Sequence, residues 1–525
     1  MARWAKVAGP GLLAGFVAAL LMTLVMVVLR YALGVASTFE MIGHRFAPLI
    51  PVRPFLELQS ILGGYNKMKQ LGVVSTIVGQ LVVGSLGGAA YAVVLERAGG
   101  PGGRRFGAPG LSFVAGAIGV AWVAVQALLW PVLDTNSLGL PPGSARVVTA
   151  LGLLFSFVVF GVGLVSIHRY LTGRAPTGRV VESGTPRFGR RALLAVGAGA
   201  VLALGSGGLF RRLFDQATFS YDGTRAGKAG KLVQAITPND EFYVVTKNVV
   251  DPRVSRAVWR FSIGGFVDNP RTYDYEKISA MQSVTQETTL SCISNPVGGR
   301  LMSNAMWKGV PLRTLLEEAG PRDGALEVVL RGADGYTDTF AFEKAMNPTT
   351  LVAYEMNGEP LPERHGYPVR IVVPGLYGEK NVKWVTGLEV VDYAAKGFYE
   401  TQGWGPNFVQ PTRSRLDAPD VTKPLPAGET VKLTGIAYGG DRGVESVEVS
   451  TDDGQSWQEA KLTYRGNRLS WSLWSHDWTP QEPGEYVLVV RATDGNGELQ
   501  ISETRAAGSG KGATGLHKET VKVEA

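Results

Sequence analysis

The chain contains a single cysteine, Cys292, at the point where an apolar, strand-like run breaks into a turn. The run covers residues 288–293, and the turn reads Asn295-Pro296-Val297-Gly298-Gly299. Because Asn-Pro and Gly-Gly pairs are strong turn signals, the sequence predicts a thiol at a strand end beside a loop. Two interpretations stay open at this point. The thiol is either a small buried hydrophobic group or a soft thiolate ligand for a metal cofactor.

The composition limits the class of protein. One cysteine excludes an internal disulfide framework and any Cys-rich zinc or iron–sulfur site. The formal net charge is +7, but much of the excess is arginine beside long apolar runs, where it marks cytoplasmic loops. Long uncharged runs also crowd the first 210 residues. We therefore expect a membrane half followed by a soluble half, and no nucleic-acid partner.

Five apolar stretches are long enough to cross about 30 Å of hydrocarbon. They are rich in Gly and Ala, which suits close packing of helices in lipid. Together they predict an α-helical transmembrane bundle over residues 1–214. The stretches are residues 11–29, 71–95, 111–133, 147–167 and 192–210.

The loop before the fifth stretch carries a strong positive charge. Residues 169–191 contain six arginines and a single acidic residue, Glu182, so this loop should face the cytoplasm. Alternation of the spans then places everything after residue 210 on the extracytoplasmic side. The pair Arg190-Arg191 before an apolar run also resembles a twin-arginine export signal, although two arginines with an ordinary topological role explain it equally well.

The predicted spans contain essentially no ionisable residues, which favours an anchoring role for the bundle in contact with membrane lipid. A quinone pocket lined by Trp122, Gln126 and Trp130 is the alternative.

The soluble half begins as a mixed α+β domain, predicted over residues 215–418. A strand is expected at 241–248 and another at 259–267. Short helices are expected at 275–281 and 311–319. Further strands are predicted at 326–331, 351–356, 369–373 and 382–391.

Several motifs of this half, between about residues 237 and 500, resemble the molybdopterin-binding oxidoreductases of the sulfite oxidase family. Each motif is weak alone, but together they follow the family's order. They are Phe242-Tyr243-Val244, the Cys292 loop, Asn304-Ala305-x-Trp307-x-Gly309-Val310-Pro311-Leu312, Asp334-Gly335-Tyr336, Ala353-Tyr354-Glu355-Met356-Asn357-Gly358, His365-Gly366-Tyr367-Pro368-Val369-Arg370, Pro374-Gly375-x-Tyr377-Gly378 and Val382-Lys383-Trp384.

The resemblance implies a molybdenum-molybdopterin cofactor, with Cys292 as the catalytic protein thiolate on the metal. A soft sulfur donor suits such a metal. By the same resemblance, the pterin and its phosphate would be held by His365, Arg370, Asn381 and Lys383, and less securely by Tyr243, Thr246, Asn248 and Asp334. A guanidinium and an ammonium group are suited to an anionic phosphate. The alternative for each residue is an ordinary surface charge or turn residue.

Residues 419–525 predict a β-sandwich, because short segments alternate apolar and polar residues between Gly, Asp and Asn turns. Residues 414–419 are expected to form the linker into it. Residues 447–457 resemble the immunoglobulin-like dimerisation domain of the same family. A homodimer is therefore expected, with a tethered monomer as the alternative.

The sequence also departs from the family's pattern. Sulfite-oxidising members have an Asn-Arg-Arg cluster after the cysteine, whereas here Asn295-Pro296-Val297-Gly298-Gly299 precedes Arg300. Their Arg-Asn-His is replaced by Thr246-Lys247-Asn248. These changes put sulfite in doubt and make a neutral sulfoxide, nitrate or another oxo-transfer substrate credible. The sequence has no His-Pro-Gly-Gly haem motif, so we expect a separate electron-transfer partner, a cytochrome or the quinone pool.

Three functions follow from these observations. The first is a membrane-anchored molybdenum oxidoreductase that transfers oxygen atoms outside the cytoplasm. The second is an enzyme of the same fold working reductively, for example in repair of oxidised methionine with quinol electrons. The third is a cofactor-free binding module on a membrane anchor, which the combination of Cys292, His365, Arg370 and Lys383 argues against.

Overall fold

The structure is a computed structural model that describes residues 2–99, 108–172, 218 and 233–525. The chain divides into two compact units. The first comprises Met1–Ala47, Lys67–Phe219 and Asn248–Val250, and the second comprises Pro48–Asn66, Ser220–Lys247 and Asp251–Ala525. The predicted fifth span at 192–210 and the Arg190-Arg191 pair lie outside the described residues.

Six helices precede the soluble half. They are α1 (Ala2–Ala32), α2 (Thr38–Phe46), α3 (Val52–Ile61), α4 (Tyr65–Gly99), α5 (Ala108–Leu129) and α6 (Pro142–Thr172). Four of them are long and apolar enough to cross a membrane, over Val7–Ala32, Tyr65–Ala98, Gly110–Val132 and Pro142–Thr172. Each of these four contains or closely overlaps one of the first four predicted spans.

Glycines allow α1 and α4 to approach closely. A Cβ atom added at Gly88 would lie 2.1 Å from the carbonyl oxygen of Gly11, and one added at Gly15 would lie 2.2 Å from that of Gly84. Only a residue without a side chain fits at such a contact. Nearby, Gln80 Nε2 donates a hydrogen bond to Thr23 Oγ1 at 2.9 Å, which adds a polar link between the same two helices.

Two of the three residues of the proposed quinone pocket are engaged in contacts within the bundle. Trp122 Nε1 donates to the carbonyl oxygen of Ala150 at 3.0 Å. The Trp130 ring lies 4.9 Å from the guanidinium carbon of Arg146. The buried Gln126 Nε2 has no hydrogen-bond partner among the described residues. The quinone pocket stays a prediction.

The first part of the soluble half contains two five-stranded sheets and four short helices. One sheet has the order β2-β1-β10-β5-β6, and the other has the order β3-β4-β7-β8 with β9 paired to β7. The strands are β1 (Phe261–Gly265), β2 (Arg271–Tyr273), β3 (Val284–Ser291), β4 (Met302–Pro311), β5 (Glu327–Gly332), β6 (Thr337–Ala341), β7 (Leu351–Met356), β8 (Glu359–Pro360), β9 (Arg370–Val372) and β10 (Val385–Val391). The helices are α7 (Tyr275–Ala280), α8 (Leu312–Ala319), α9 (Phe342–Ala345) and α10 (Phe398–Thr401).

The predicted strand at 241–248 is wrong, because this segment is extended without joining a sheet. Its first amides are used elsewhere. The N–H group of Phe242 donates to the carbonyl oxygen of Pro238, and that of Tyr243 donates to Ser303 Oγ. A backbone whose donors are already satisfied cannot form a regular ladder. The segment instead contributes side chains to the core of the β3-β4-β7 sheet.

The C-terminal part contains two further sheets that share one apolar core. Their orders are β11-β13-β17-β16 and β12-β19-β18-β14-β15. The strands are β11 (Arg413–Ala418), β12 (Leu425–Pro426), β13 (Val431–Tyr438), β14 (Val444–Ser450), β15 (Gln458–Glu459), β16 (Lys461–Tyr464), β17 (Ser472–Trp478), β18 (Gly484–Asp494) and β19 (His517–Glu524). Leu433 and Trp474 of the first sheet meet Val447 and Val490 of the second in the core.

The predicted linker at 414–419 is also wrong. Residues 413–418 form the edge strand β11, in which Arg415 pairs with Ile436 of β13. The final strand β19 was not foreseen. The immunoglobulin-like character of this domain stays a prediction.

Candidate functional site

Cys292 directly follows β3, as the sequence predicts, and its backbone is fixed by a tight turn. Its N–H group donates to the carbonyl oxygen of Leu301, and its own carbonyl accepts from the N–H group of Asn295. The thiol lies 3.0 Å from Ser294 Oγ and is 9% exposed. Burial, helped by the nearby Glu379 carboxyl, raises the pKa of Cys292 to about 11. A cation bound to the sulfur would favour the thiolate that this burial disfavours.

Arg370, the first residue of β9, is a buried cation that lies over the Trp307 ring and whose hydrogen bonds among the described residues go to backbone carbonyls. Its Nη1 donates to the carbonyl oxygen of His365 and its Nη2 to that of Asn381, both at 3.1 Å. Its Nε is buried and has no hydrogen-bond partner among the described residues. Burial lowers the pKa of Arg370 to about 10. A guanidinium group so placed needs an anion to offset its loss of hydration.

Lys383 lies beside Arg370 because the backbone segments that carry them run next to each other. The N–H group of Ile371 donates to the carbonyl oxygen of Val382 at 2.9 Å. Gly366 fits between the two side chains, since a Cβ atom there would lie 3.0 Å from Arg370 Cβ and 3.2 Å from Lys383 Cβ. Burial lowers the pKa of Lys383 to about 8. Two cations are thus brought together in a poorly solvated place.

His365 ends a 3₁₀ turn (Glu363–His365) and is buried next to these cations. Its Nε2 lies 2.8 Å from the carbonyl oxygen of Asn239. Burial lowers the pKa of His365 to about 3, and the charge of Arg370 acts in the same direction. The ring is therefore neutral near pH 7, and Nε2 must carry the hydrogen because a carbonyl oxygen can only accept.

Asn381 shapes the cradle with its backbone and uses its side chain to hold a turn. Its Oδ1 accepts from the N–H group of Val373 at 2.7 Å, and its Nδ2 donates to the carbonyl oxygen of Tyr377 at 3.0 Å. Both polar ends of the side chain are therefore occupied. Its main-chain oxygen is one of the two carbonyls that orient Arg370.

Tyr243 is buried in the same apolar cluster as Cys292, and its hydroxyl is affected by both the thiol and Arg370. A Cβ atom added at Gly378 would lie 2.5 Å from Tyr243 Oη, which shows that the hydroxyl rests against that glycine. Burial raises the pKa of Tyr243, the charge of Cys292 raises it further, and the Arg370 guanidinium opposes both. One hydroxyl group thus experiences both the predicted metal ligand and the predicted phosphate ligand.

Three of the residues predicted to contact the pterin form hydrogen bonds with other parts of the chain. Thr246 Oγ1 donates to Asp251 Oδ1 at 2.9 Å. Asp334 accepts from the N–H group of Tyr336 through Oδ1, and its main-chain oxygen accepts from Lys247 Nζ at 3.0 Å. Asn248 belongs to the helical unit. There its main-chain oxygen accepts a hydrogen bond from Lys69 Nζ at 3.0 Å.

Three residues around the thiol were not predicted from the sequence. Ser294 could have been found from its spacing, two residues after the cysteine. Glu379 directly follows the motif that ends at Gly378, and both of its carboxylate oxygens are buried. No local feature of the sequence pointed to Arg413. It starts β11, and its Nη1 donates to the carbonyl oxygen of Asn295 at 3.1 Å, so it fastens the cysteine loop.

The two basic residues that could replace a lost anion pocket are engaged with carboxylates. Lys247 Nζ lies 3.9 Å from Asp334 Oδ2. Arg300 Nη1 lies 3.7 Å from Asp417 Oδ1. Their charges are thus partly neutralised before any substrate arrives.

Comparison with known families assigns both parts of the soluble half. Residues 248–399 match the oxidoreductase molybdopterin binding domain, and residues 411–523 match the Mo-co oxidoreductase dimerisation domain.

Similar proteins of known name include the mitochondrial sulfite oxidase of Drosophila melanogaster, with 29% identity over 345 residues, covering 55% of this chain and 60% of that protein. The mouse (Mus musculus) mitochondrial sulfite oxidase is 33% identical over 234 residues, covering 38% and 42%. The NADPH nitrate reductase of Fusarium oxysporum is 31% identical over 259 residues, covering 39% and 28%. The matched region therefore covers less than two thirds of the length of each of these relatives, from 28% to 60%.

Among solved structures, the sulfane dehydrogenase SoxCD from Paracoccus pantotrophus matches with 23% identity and a TM-score of 0.48, covering 56% of this chain and 85% of that one. The two adjoining family matches and the named relatives agree with each other, and they leave the cofactor-free binding module without support. The chain belongs to the sulfite oxidase-like family of molybdopterin-dependent oxidoreductases, whose cofactor is the molybdenum cofactor.

Proposed function

We propose that this protein is a membrane-anchored oxidoreductase that transfers an oxygen atom to or from a small molecule on the extracytoplasmic side of the membrane. One observation carries the proposal. Arg370 is a buried cation with an unsatisfied Nε, and Lys383 lies beside it. The Tyr243 hydroxyl interacts electrostatically with both Arg370 and the thiol of Cys292. A phosphate at one end and a metal at the other is the arrangement that molybdopterin requires.

The side chains present fit that cofactor. Arg370 and Lys383 would bind its phosphate, His365 and Tyr243 would contact the pterin, and Cys292 would supply a thiolate to the metal. Thr246, Asn248 and Asp334 are proposed as outer contacts, and Asn381 as the residue that keeps Arg370 in place. When bound, the cofactor supplies a metal that exchanges oxygen and two electrons with the substrate.

The protein's own task is then to bind the substrate next to Cys292 and to limit its access to water. Near Cys292, the side chains of Tyr377, Trp404 and Phe408 form an apolar cluster with Ile293. Such a wall accepts the apolar part of a small substrate and leaves its oxygen to be bound by polar groups.

Among possible substrates, a neutral sulfoxide is favoured over sulfite. The charges of Lys247 and Arg300 are already engaged by Asp334 and Asp417. A dianion would therefore find both of these basic side chains already engaged. This supports the reductive direction, for example on oxidised methionine, as the second candidate function.

The test of the proposed function begins with the purified full-length protein. We expect about one molybdenum and one pterin per chain, and turnover of methionine sulfoxide or dimethyl sulfoxide with a reduced viologen dye as the electron donor. The specificity constant for sulfite with an artificial electron acceptor should be at least about tenfold lower, since each lost charge-assisted hydrogen bond costs about 1.5–3 kcal/mol. Protein without metal or pterin would refute the function, and efficient sulfite oxidation would refute the choice of substrate.

Helix α3 supports the extracytoplasmic side. Its segment, Pro48–Asn66, belongs to the compact catalytic unit although it lies in sequence between two candidate spans. The N–H group of Val52 donates to the carbonyl oxygen of Gln402 at 2.7 Å. This contact supports a placement of the segment and the catalytic domain on the same side of the membrane. Such a placement is consistent with the fifth span that the sequence predicts at 192–210.

Cysteine labelling tests this arrangement with little background, because Cys292 is the only native cysteine and is buried. Ile61, at the end of α3, is 80% exposed. In intact cells, a membrane-impermeant maleimide should label Ile61→Cys but not the wild type. Arg179→Cys should react only after the membrane is permeabilised. The reverse pattern would overturn the topology.

The electron partner and the assembly are part of the same proposal. Electrons would pass between the cofactor and a separate cytochrome or the quinone pool. The match of residues 411–523 to a dimerisation domain supports a homodimer. Light scattering of the detergent-solubilised protein, corrected for bound detergent and lipid, would distinguish a dimer from a tethered monomer by a twofold difference in protein mass.

A further inference from the structure

Glu379 is a buried carboxyl group for which the cofactor contacts proposed above provide no role. It lies in the 3₁₀ turn Gly378–Lys380, directly after the glycine on which the Tyr243 hydroxyl rests. Part of the residue reaches solvent, yet both carboxylate oxygens are buried and have no hydrogen-bond partner among the described residues. The N–H groups of Glu379 and Ile293 lie near it without forming hydrogen bonds of good geometry.

Its surroundings place Glu379 at the reacting end of the site. The Glu379 charge raises the pKa of the Cys292 thiol and of the Tyr243 and Tyr377 hydroxyls. Its nearest cation is committed elsewhere, because Lys380 Nζ lies 2.7 Å from Asp338 Oδ1. The charged and titratable groups that face it are Cys292, Asp338, Lys380, Tyr243, Tyr336, Tyr377 and Tyr399.

A buried carboxyl group without a partner costs free energy of folding, whether it is ionised or neutral. Two other carboxyl groups in this region, one partly buried and one fully buried, have hydrogen-bond partners. Glu400 Oε2 accepts from Thr339 Oγ1 at 2.8 Å, and Asp338 Oδ2 accepts from the Tyr336 hydroxyl at 2.6 Å. An exception beside the predicted metal ligand indicates that the missing partner is a bound molecule.

We propose that the carboxyl group of Glu379 hydrogen-bonds the oxygen atom of the substrate that is transferred, and exchanges a proton with it during the reaction. This deepens the proposed function and rests on it. The substrate class is a small neutral oxide, such as a sulfoxide, whose oxygen accepts a hydrogen bond while its apolar groups face Tyr377, Trp404 and Phe408. In its neutral form the carboxyl group donates this hydrogen bond, and its two buried oxygens have no competing partner among the described residues.

The reaction balances with the partners already named. A sulfoxide, two electrons and two protons give a sulfide and one water molecule, as the sulfur–oxygen bond breaks. The electrons come from the separate electron-transfer partner. Glu379 supplies one proton and is reprotonated from water, which supplies the second. In the oxidative direction, the same group accepts a proton from the water that provides the oxygen.

Two variants separate hydrogen bonding from proton exchange. Glu379→Gln can still donate a hydrogen bond but cannot exchange a proton, whereas Glu379→Leu can do neither. Binding is measured on the oxidised holoenzyme without an electron donor, by following tryptophan fluorescence during titration with dimethyl sulfoxide. We expect about tenfold weaker binding for Glu379→Leu and little change for Glu379→Gln. Turnover should fall about a hundredfold in both, because general acid–base catalysis contributes at least that much.

The matched control is Glu400→Gln, which alters a nearby carboxyl group that already has partners and should change neither binding nor turnover more than about twofold. Wild-type binding and turnover in both Glu379 variants would overturn the proposal. So would loss of molybdenum or pterin from Glu379→Gln, since Glu379 would then hold the cofactor. A wild-type protein that contains no molybdenum, or that reduces no sulfoxide, would instead refute the proposed function.

Discussion

The two ends of the candidate site differ in how their polar groups are satisfied. At the anchor end, Arg370 and Lys383 donate to main-chain carbonyls, and His365 does the same through Nε2. At the reaction end, Cys292 has only Ser294 Oγ as a side-chain partner, and Glu379 has no hydrogen-bond partner among the described residues. Backbone carbonyls are fixed by the fold, so they hold these side chains rigidly in position for a cofactor. The groups proposed to contact the substrate can therefore still form hydrogen bonds with it.

The largest expected effect is at the reaction end, in Cys292→Ser. A hydroxyl is a poor replacement for a soft sulfur donor, so turnover should fall by more than about a hundredfold, beyond what the loss of an outer contact costs. The pterin content and the melting temperature should change little, because the anchor end is intact and no large cavity forms. Turnover, pterin content and melting temperature are measured on the same preparation. Full activity together with a lowered melting temperature would instead assign Cys292 a purely structural role.

At the anchor end, Arg370→Met should act in the opposite way. The holoprotein should lose cofactor affinity by about ten- to a hundredfold, because a charge-assisted contact with phosphate is worth about 1.5–3 kcal/mol. The apoprotein should keep its stability, since the two lost hydrogen bonds are offset by removal of a buried charge. Pterin fluorescence and thermal unfolding measure the two quantities. Arg370→Lys serves as the control that keeps the charge but not the paired geometry. Unchanged pterin retention in Arg370→Met would contradict the phosphate assignment.

His365 should make the anchor end sensitive to acid. Its folded pKa of about 3 lies below the unfolded value of 6.5, so the unfolded state binds the extra proton in this range and stability falls as the pH drops below 6.5. At pH 5 the free energy of unfolding should be about 2 kcal/mol lower than at neutral pH. His365→Gln, whose amide can still donate to Asn239, should lose that part of the pH dependence. Urea unfolding of the apoprotein at pH 5 and 7.5 measures it. An equal loss of stability at pH 5 in both proteins would refute the assignment.

The smallest expected effect belongs to Ser294→Ala. Its hydroxyl is the side-chain partner of the Cys292 sulfur at 3.0 Å and lowers the pKa of the thiol. Losing one hydrogen bond of about 0.5–1.5 kcal/mol should reduce kcat by no more than about tenfold and leave KM unchanged. Steady-state kinetics with the same substrate tests this. A decrease as large as that of Cys292→Ser would mean that Ser294 takes part directly in the reaction.

The local elements were largely predictable, because hydrophobic periodicity and turn residues act over short distances. The helix at 275–281 and the strands at 351–356 and 382–391 appear as α7, β7 and β10. The strand predicted at 241–248 failed because its amides bond to a turn and to Ser303 Oγ, which lies far away in the sequence. The linker at 414–419 failed because its pairing with β13 is a tertiary contact.

The sequence by itself determined the chemistry that the protein can carry out. It contained one soft thiol in a turn, an Arg and a Lys within motifs of one family, and apolar stretches long enough to cross a membrane. These features are local, so composition and spacing reveal them. The tertiary structure alone decided which charges remain without a counter-charge. Lys247 and Arg300 meet carboxylates that are distant in sequence. Among the described residues, Arg370 instead donates to two main-chain carbonyls and keeps a free Nε, and the Glu379 carboxylate has no hydrogen-bond partner. The pairing of a charged side chain depends on which strands the fold brings together. Charged groups that the fold leaves unpaired are available to a cofactor or substrate, whereas paired groups only stabilise the protein.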